Sequence, residues 1–325
     1  MSAVGPGTGD RAWGDAQSVL EPLGPEAELI ADLTWVLFIG GGIIFLATML
    51  LLAVAIRGGD GPRRILGSRR FILWAGVAFP VVVLSALLVG TLRVSAALDN
   101  RPMGAEPLKI EVIGRQFWWE VRYPGTLPSG GIVTANEIHI PVGREVELRV
   151  SAGDVYHSLW IPTLHGKIDM VPGRTNTLRL RAARPGVVRG QCTEFCGAQH
   201  ALMAFYVVAE TPDGYERWLE RHRLPAAEPV DEFLATGRKV FAAAGCGGCH
   251  AVRGTEWDAR IGPDLTHVGS RLSLAAGTLD NHRGTLGGWI AGVQDLKPGA
   301  NMPSYNAVLD GRELRAVSAW LESLR

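Results

Sequence analysis

The four cysteines of this 325-residue chain form two pairs, Cys192/Cys196 and Cys246/Cys249, each with a histidine close behind. The first pair lies in the run Gln191-Cys192-Thr193-Glu194-Phe195-Cys196-Gly197-Ala198-Gln199-His200-Ala201-Leu202-Met203, with an isolated His157 upstream. Two thiolates, two imidazoles and a thioether make a soft donor set that suits copper, whereas hard cations would want oxygen. A mononuclear electron-transfer copper needs one cysteine, so the second argues for two coppers bridged by both sulfurs. Sharing an electron over two bridged ions leaves little geometry to rearrange, which favours rapid transfer over catalysis at an open position. A tetrahedral zinc on His157, Cys192, Cys196 and His200 would leave Met203 unexplained. A Cys192–Cys196 disulfide is geometrically awkward in so short a loop.

The second pair reads Cys246-Gly247-Gly248-Cys249-His250, the pattern by which two thioethers fix a c-type haem and a histidine becomes its proximal iron ligand. A zinc knuckle can produce the same five residues. The distal ligand of such a haem is usually methionine, and Met302 is the one methionine after Met203. His267 and His282 are the bis-histidine alternatives. Trp257, Trp289 and Trp320 read as packing around the haem. His139 and His165 read as ordinary surface or hydrogen-bonded histidines.

These residues need elements to hold them, and the chain changes character along its length. Lys+Arg and Asp+Glu are equal at 32 each, so no net charge suggests a nucleic-acid partner. Mean hydropathy is +0.14, with the apolar residues concentrated early. Between residues 31 and 56 the one formal charge is Asp32, giving about 25 apolar residues, or roughly 37 Å of helix, enough to cross a bilayer. A second span occupies about 71–93 and carries Pro80. Five arginines (57, 63, 64, 69 and 70) face one acid, Asp60, in the short connection, which therefore stays cytoplasmic. The hairpin of residues 31–96 then leaves the 1–30 segment and everything after residue 96 outside, where bare thiols would be oxidised unless metal-bound or alkylated. A cleaved signal sequence fits poorly, since the first run is too long, starts late and lacks an early basic region. Two buried helices of a soluble protein fit no better, because neither run has a polar face.

Residues 107–210 alternate in short runs, such as Glu145 to Val150 and Thr177 to Leu180, broken by Gly and Pro. This pattern predicts a β-sandwich with its site on loops at one end. Residues 211–230 predict a linker with a short helix near Tyr215 to His222 and a semi-stiff stretch from Pro225 to Pro229. Residues 231–325 predict a small helical domain, beginning with a helix over Phe233 to Ala244. It closes with one opened by Asp310 and Glu313 that sets Leu314, Val317, Leu321 and Leu324 on one face.

The spacing Cys-x-x-x-Cys-x-x-x-His-x-x-Met, with His157 upstream, resembles the CuA motif of cytochrome c oxidase subunit II. Both spans, the stretch from Gly114 to Tyr123 and that from Lys167 to Arg174 share the likeness, which covers roughly residues 30 to 210. It implies a cupredoxin fold with His157, Cys192, Cys196, His200 and Met203 as copper ligands and Glu194 binding through its carbonyl. It also implies that the Glu194 side chain reaches a magnesium ion at the boundary with subunit I. Asn301-Met302-Pro303-Ser304-Tyr305 and Gly262-Pro263-Asp264-Leu265 resemble the methionine and haem-edge loops of class I cytochromes c. The whole is similar to caa-type oxidases, in which a cytochrome c is fused to subunit II. The resemblance implies an electron-input subunit passing electrons from haem c to CuA and on to the haem–copper centre of subunit I. The other partners it implies are subunit III, a donor such as a quinol–cytochrome c reductase or another cytochrome c, and the bacterial cell membrane.

Two positions depart from the family. Phe117 stands where the family usually has the tryptophan through which electrons come in, so either Trp118 or Trp119 substitutes or the route has changed; all three also read as core. No acidic residue occurs from Gly61 to Leu92, where the family commonly has a glutamate at a proton-channel mouth. Other readings are a membrane-tethered carrier of another pathway, a quinol-oxidase-like structural subunit without copper, and a nitrous-oxide reductase. The last lacks this hairpin and needs a large catalytic domain absent here.

Overall fold

A computed structural model describes residues 17–99, 106–128 and 130–325. Most of the expected 1–30 segment, residues 1–16, lies outside the described residues, as does the 100–105 junction. Helix α1, Pro25–Arg57, is 33 residues and so about 50 Å long. A short α2, Asp60–Leu66, follows in the basic connection, and its Arg63 donates to the Ala55 and Ile56 carbonyls, where a cation complements the helix C-terminus. The second span is α3, Arg69–Leu73, a π-helical turn, Trp74–Ala78, and α4, Phe79–Asp99. Pro80 has no N–H and its ring would strike the carbonyl four residues earlier. The wider turn absorbs this, with the Phe79 N–H reaching back to the Trp74 carbonyl. Both spans leave large apolar side chains such as Phe45, Leu46, Trp74 and Leu84 exposed, as lipid-facing helices do.

The chain before α1 is fastened to the next domain. The Leu23 N–H donates to Thr163 O at 2.7 Å, and the Ala183 N–H donates to Leu23 O at 2.8 Å. Leu23 joins the β-domain core, and a Cβ on Gly24 would lie 2.2 Å from Arg181 O, so only glycine permits the approach.

That domain has two five-stranded sheets. One, in the order β3-β2-β1-β5-β8, uses Gly131–Ala135, Trp118–Pro124, Leu108–Arg115, Val146–Ala152 and Asn176–Leu180. The other, β4-β10-β9-β6-β7, uses Glu137–Pro141, Ala204–Glu210, Gly186–Cys192, His157–Trp160 and Lys167–Met170. The expected alternation is present: Ile110 and Val112 of β1, Val146, Leu148 and Val150 of β5, and Leu178 and Leu180 of β8 are buried. Two inner faces of this kind make a sandwich core.

Helix α5, Pro212–Arg223, is capped by the Thr211 hydroxyl and lays Tyr215, Trp218 and Leu219 into the same core. It is part of the β-domain rather than a free connector. Helices α6, Glu232–Ala243, α7, Arg283–Ala291, α8, Val293–Leu296, and α9, Gly311–Ser323, with the small β11–β12 ladder of Ser273–Leu274 and Leu279–Asp280, build a second core. Asp310 and Glu313 form a reciprocal capping box at α9, and Val317, Leu321 and Leu324 are buried.

Trp218 stacks on His139 with ring centroids 4.3 Å apart and lies 4.9 Å from Tyr123. Trp218→Ala is expected to destabilise the β-domain by about 3–5 kcal/mol, read as a lowered Tm. An unchanged Tm would show that α5 contributes nothing to this core.

Candidate metal and haem centres

The Cys192–Met203 loop joins adjacent antiparallel strands, β9 and β10, whose ladder closes its neck: Gln191 pairs with Ala204, and the Cys192 N–H donates to Met203 O at 3.0 Å. His157 begins β6, which pairs with β9 through Leu159 and Cys192, and the Thr193 N–H donates to Ser158 O. Neighbouring strands therefore bring distant sequence together. Cys192 Sγ lies 3.8 Å from Cys196 Sγ and 3.8 Å from His157 Nδ1. Cys196 Sγ lies 3.7 Å from both His200 Nδ1 and Met203 Sδ. The Glu194 carbonyl oxygen is 3.2 Å from Cys192 Sγ, while the Glu194 side chain is exposed. All six residues expected from the sequence thus converge.

The sulfurs are too far apart for a disulfide, at about 2.05 Å, and close enough to share ions between them. The hydrogen bond between the two thiols holds Cys192 well below the usual thiol range and pushes its partner Cys196 up. A thiol depressed in this way favours the thiolate that a soft metal requires. Burial pulls His157 down, but hydrogen bonds to Asp154 and Cys192 outweigh it and raise it overall. Asp154 Oδ1 sits 2.8 Å from His157 Nε2, so the carboxylate turns Nδ1 toward the sulfurs. Gly114 gives the ring its room, since a Cβ there would lie 2.8 Å from it.

The second centre is a largely apolar cavity. Its walls include Cys246, Cys249, His250, Met302, Leu286 and Trp289. His250 Nδ1 donates to Pro263 O at 2.7 Å, leaving Nε2 free to bind iron, and burial lowers His250 so that the ring stays neutral. Gly262 allows that loop to pass, because a Cβ would lie 2.5 Å from the His250 ring. Neither histidine alternative lines the cavity: His267 Nδ1 pairs with its neighbour's carbonyl, and His282 caps α7. Arg271, half-buried, lines the cavity; its guanidinium donates to Asp264 O through Nη2 and leaves Nε unpaired, as a carboxylate-bearing planar group would need. Haem, with its two propionates, fits that description.

The aromatic run divides. Phe117 and Trp118 line the haem cavity, whereas Trp119 is fully buried, 4.9 Å from Phe205 and 6.2 Å from His157. The same segment touches the sulfur loop: Gln116 Nε2 donates to Cys196 O at 2.6 Å, and a Cβ on Gly197 would meet the Phe117 ring at 3.1 Å. The cavity therefore abuts the sulfur cluster through residues of the β-domain. His139, read as ordinary, is buried between Glu137 and Glu210 at 3.5 and 3.7 Å. Sequence reasoning missed Asp154, Gln116 and Arg271. Of these, only Asp154 carried a signal, a carboxylate three residues before a lone histidine.

A sandwich holding a soft-donor cluster, a helical domain holding a haem cavity and two apolar helices define a membrane-anchored redox protein with copper and haem sites. The family described as cytochrome c oxidase subunit II, periplasmic domain, matches residues 129–210, and cytochrome c matches 234–325. Cytochrome c oxidase subunit 2 of Alkalihalophilus pseudofirmus is 35% identical over 95% of this chain and 91% of its own. That of Bacillus sp. strain PS3 is 29% identical over 81% of this chain and 77% of its own. The crystal structure of the periplasmic domain of subunit II of cytochrome oxidase from Bradyrhizobium japonicum is 28% identical, covering 37% of this chain and 95% of that one with a TM-score of 0.34. The chain belongs to the cytochrome c oxidase subunit II family and carries a cytochrome c domain at its C-terminal end.

Asp154→Asn keeps the shape of the His157 partner but removes its charge. It is expected to weaken copper binding by roughly 10–100-fold, measured by competition with a chelator; unchanged affinity would remove Asp154 from the site.

Proposed function

We propose that this chain is the electron-input subunit of a haem–copper terminal oxidase, with its β-sandwich and cytochrome domains on the extracytoplasmic side of a bacterial cell membrane. The observation that carries the reading is the convergence of two sulfurs, two imidazoles and a thioether at one end of the sandwich, directly beside the haem cavity. His157, Cys192, Cys196, His200 and Met203, with the Glu194 carbonyl, would hold CuA. Cys246 and Cys249 would bind haem c covalently, with His250 and Met302 as axial ligands. Bound there, the two groups supply one-electron carriers, so that electrons from a quinol–cytochrome c reductase or another cytochrome c reach the oxygen-reducing centre of subunit I by way of haem c and CuA.

The chain's own residues position and insulate. The β9–β10 ladder holds the two sulfurs at fixed spacing, Asp154 orients His157, and Arg271, with its Nε unpaired at the cavity wall, would pair a propionate of bound haem. Phe117 and Trp118, at the seam between cavity and sulfur loop, are the aromatics through which electrons would cross; Trp119 belongs to the core. The exposed Glu194 side chain is free to reach a magnesium ion shared with subunit I. Oxygen reduction would reside in subunit I, with subunit III a further partner in the complex. A complete set of soft donors argues against a quinol-oxidase-like subunit without copper.

Beyond the copper of the subunit I centre, purified oxidase is expected to contain two coppers and one haem c per copy of this chain, with an electron-spin signal shared over two copper nuclei. Cys196→Ser is expected to abolish that signal while haem c persists. A signal from a single copper in the unsubstituted protein would overturn the assignment.

A further inference from the structure

The cytochrome and β-domains meet over a buried seam, and one side chain in it stands apart chemically. Lys297 follows α8 and opens the loop that carries Met302, and it is only 2% exposed. Its Nζ donates to three carbonyl oxygens: Ala275 O at 2.9 Å in its own domain, and Phe117 O at 3.0 Å and Leu202 O at 2.8 Å in the β-domain. Leu202 immediately precedes Met203, so a single ammonium joins the two methionine-bearing loops. Burying an unpaired ammonium is prohibitive, and burial draws Lys297 down to about 7. Two of its three acceptors belong to the β-domain and reach it only while the domains are docked.

Contacts beside it point the same way. Gln199 Nε2 donates to Pro298 O at 2.7 Å, the Ala204 N–H donates to Ala276 O at 3.0 Å, and Asn301 Nδ2 lies 3.5 Å from Gln116 O. With the Gln116 bond to Cys196 O, the last of these makes a short hydrogen-bonded chain from the neighbour of Met302 to the sulfur cluster. Tethering alone would supply only a millimolar effective concentration and many orientations.

We propose that Lys297 is a positioning residue for electron transfer within this chain, clamping the Met302 loop onto the Cys192–Met203 loop so that the haem cavity faces the sulfur cluster in one fixed orientation. The electron-transfer role rests on the function proposed above; the clamp itself does not. Lys297→Met removes all three donations: Ala275 O keeps the Thr278 hydroxyl, while Phe117 O and Leu202 O on the β-domain side lose the donation from Lys297. Because electron transfer is sensitive to placement on the ångström scale, loss of the clamp is expected to slow haem-to-copper transfer about tenfold or more.

The test uses the intact oxidase with a protease site introduced at Ala227, compared with its Lys297→Met and Lys297→Gln variants. After cleavage, the cytochrome domain is expected to stay bound when Lys297 is present and to be released from both variants, a result read by gel filtration with or without copper. In the uncut variants, flash reduction of haem c is expected to show slowed copper reduction. The haem c spectrum and copper electron-spin signal should persist, while relaxation of the copper signal by oxidised haem should weaken. Retention of the cut domain by both variants, or transfer at the unsubstituted rate, would overturn the clamp. Absence of the two-copper signal from the unsubstituted protein would instead count against the functional reading, and release after cleavage would still decide the clamp.

Discussion

Two sulfurs held 3.8 Å apart are the constraint to which the rest of the molecule answers. Two thiols set that close would ordinarily share a proton or oxidise, and neither outcome is useful in an oxidising compartment. Cys192 is the last residue of β9 and Cys196 stands in the turn that leads to β10, with the two sulfurs unbonded. With β9 paired to both β6 and β10, the donors cannot drift independently. A site preorganised in this way loses little to reorganisation when its charge changes, which is the property an electron carrier needs.

Anchoring extends that rigidity in both directions. Toward the membrane, Leu23 and Gly24 fasten the start of α1 to the sandwich, so the cluster is held at a defined height relative to the spans. Toward the cytochrome domain, α5 is packed into the sandwich core, and Arg253 donates to the carbonyls of His222 and Leu224 at the start of the linker. The cytochrome domain is thus seated rather than merely tethered. Phe117, where the resemblance would expect tryptophan, lies in the seam between the two domains, against the cavity of the cytochrome domain.

Much of this was legible in the sequence because the chemistry is local. Cysteine spacing, the haem attachment residues and the positions of Met203 and Met302 are short-range patterns, and periodicity identified the spans, the β5 and β8 strands and the final helix. What escaped depended on long-range contact. The split of Phe117 and Trp118 from Trp119 follows from strand alternation at a turn whose register cannot be read from three consecutive aromatics. Arg271, Gln116 and Lys297 are ordinary polar residues in sequence and gain meaning only where two domains meet. The π-helical turn was foreshadowed by Pro80, but its type depends on how the preceding carbonyls rearrange. The place of α5 in the sandwich core was hidden by its polar composition, with Tyr215, Trp218 and Leu219 its main apolar face.

X-ray absorption at the copper edge of the purified oxidase tests the central claim most directly. The account predicts a copper site with sulfur neighbours and a second copper within bridging distance, both lost when Cys192 and Cys196 are replaced together. A copper environment of nitrogen and oxygen alone, or zinc in place of copper, would contradict it.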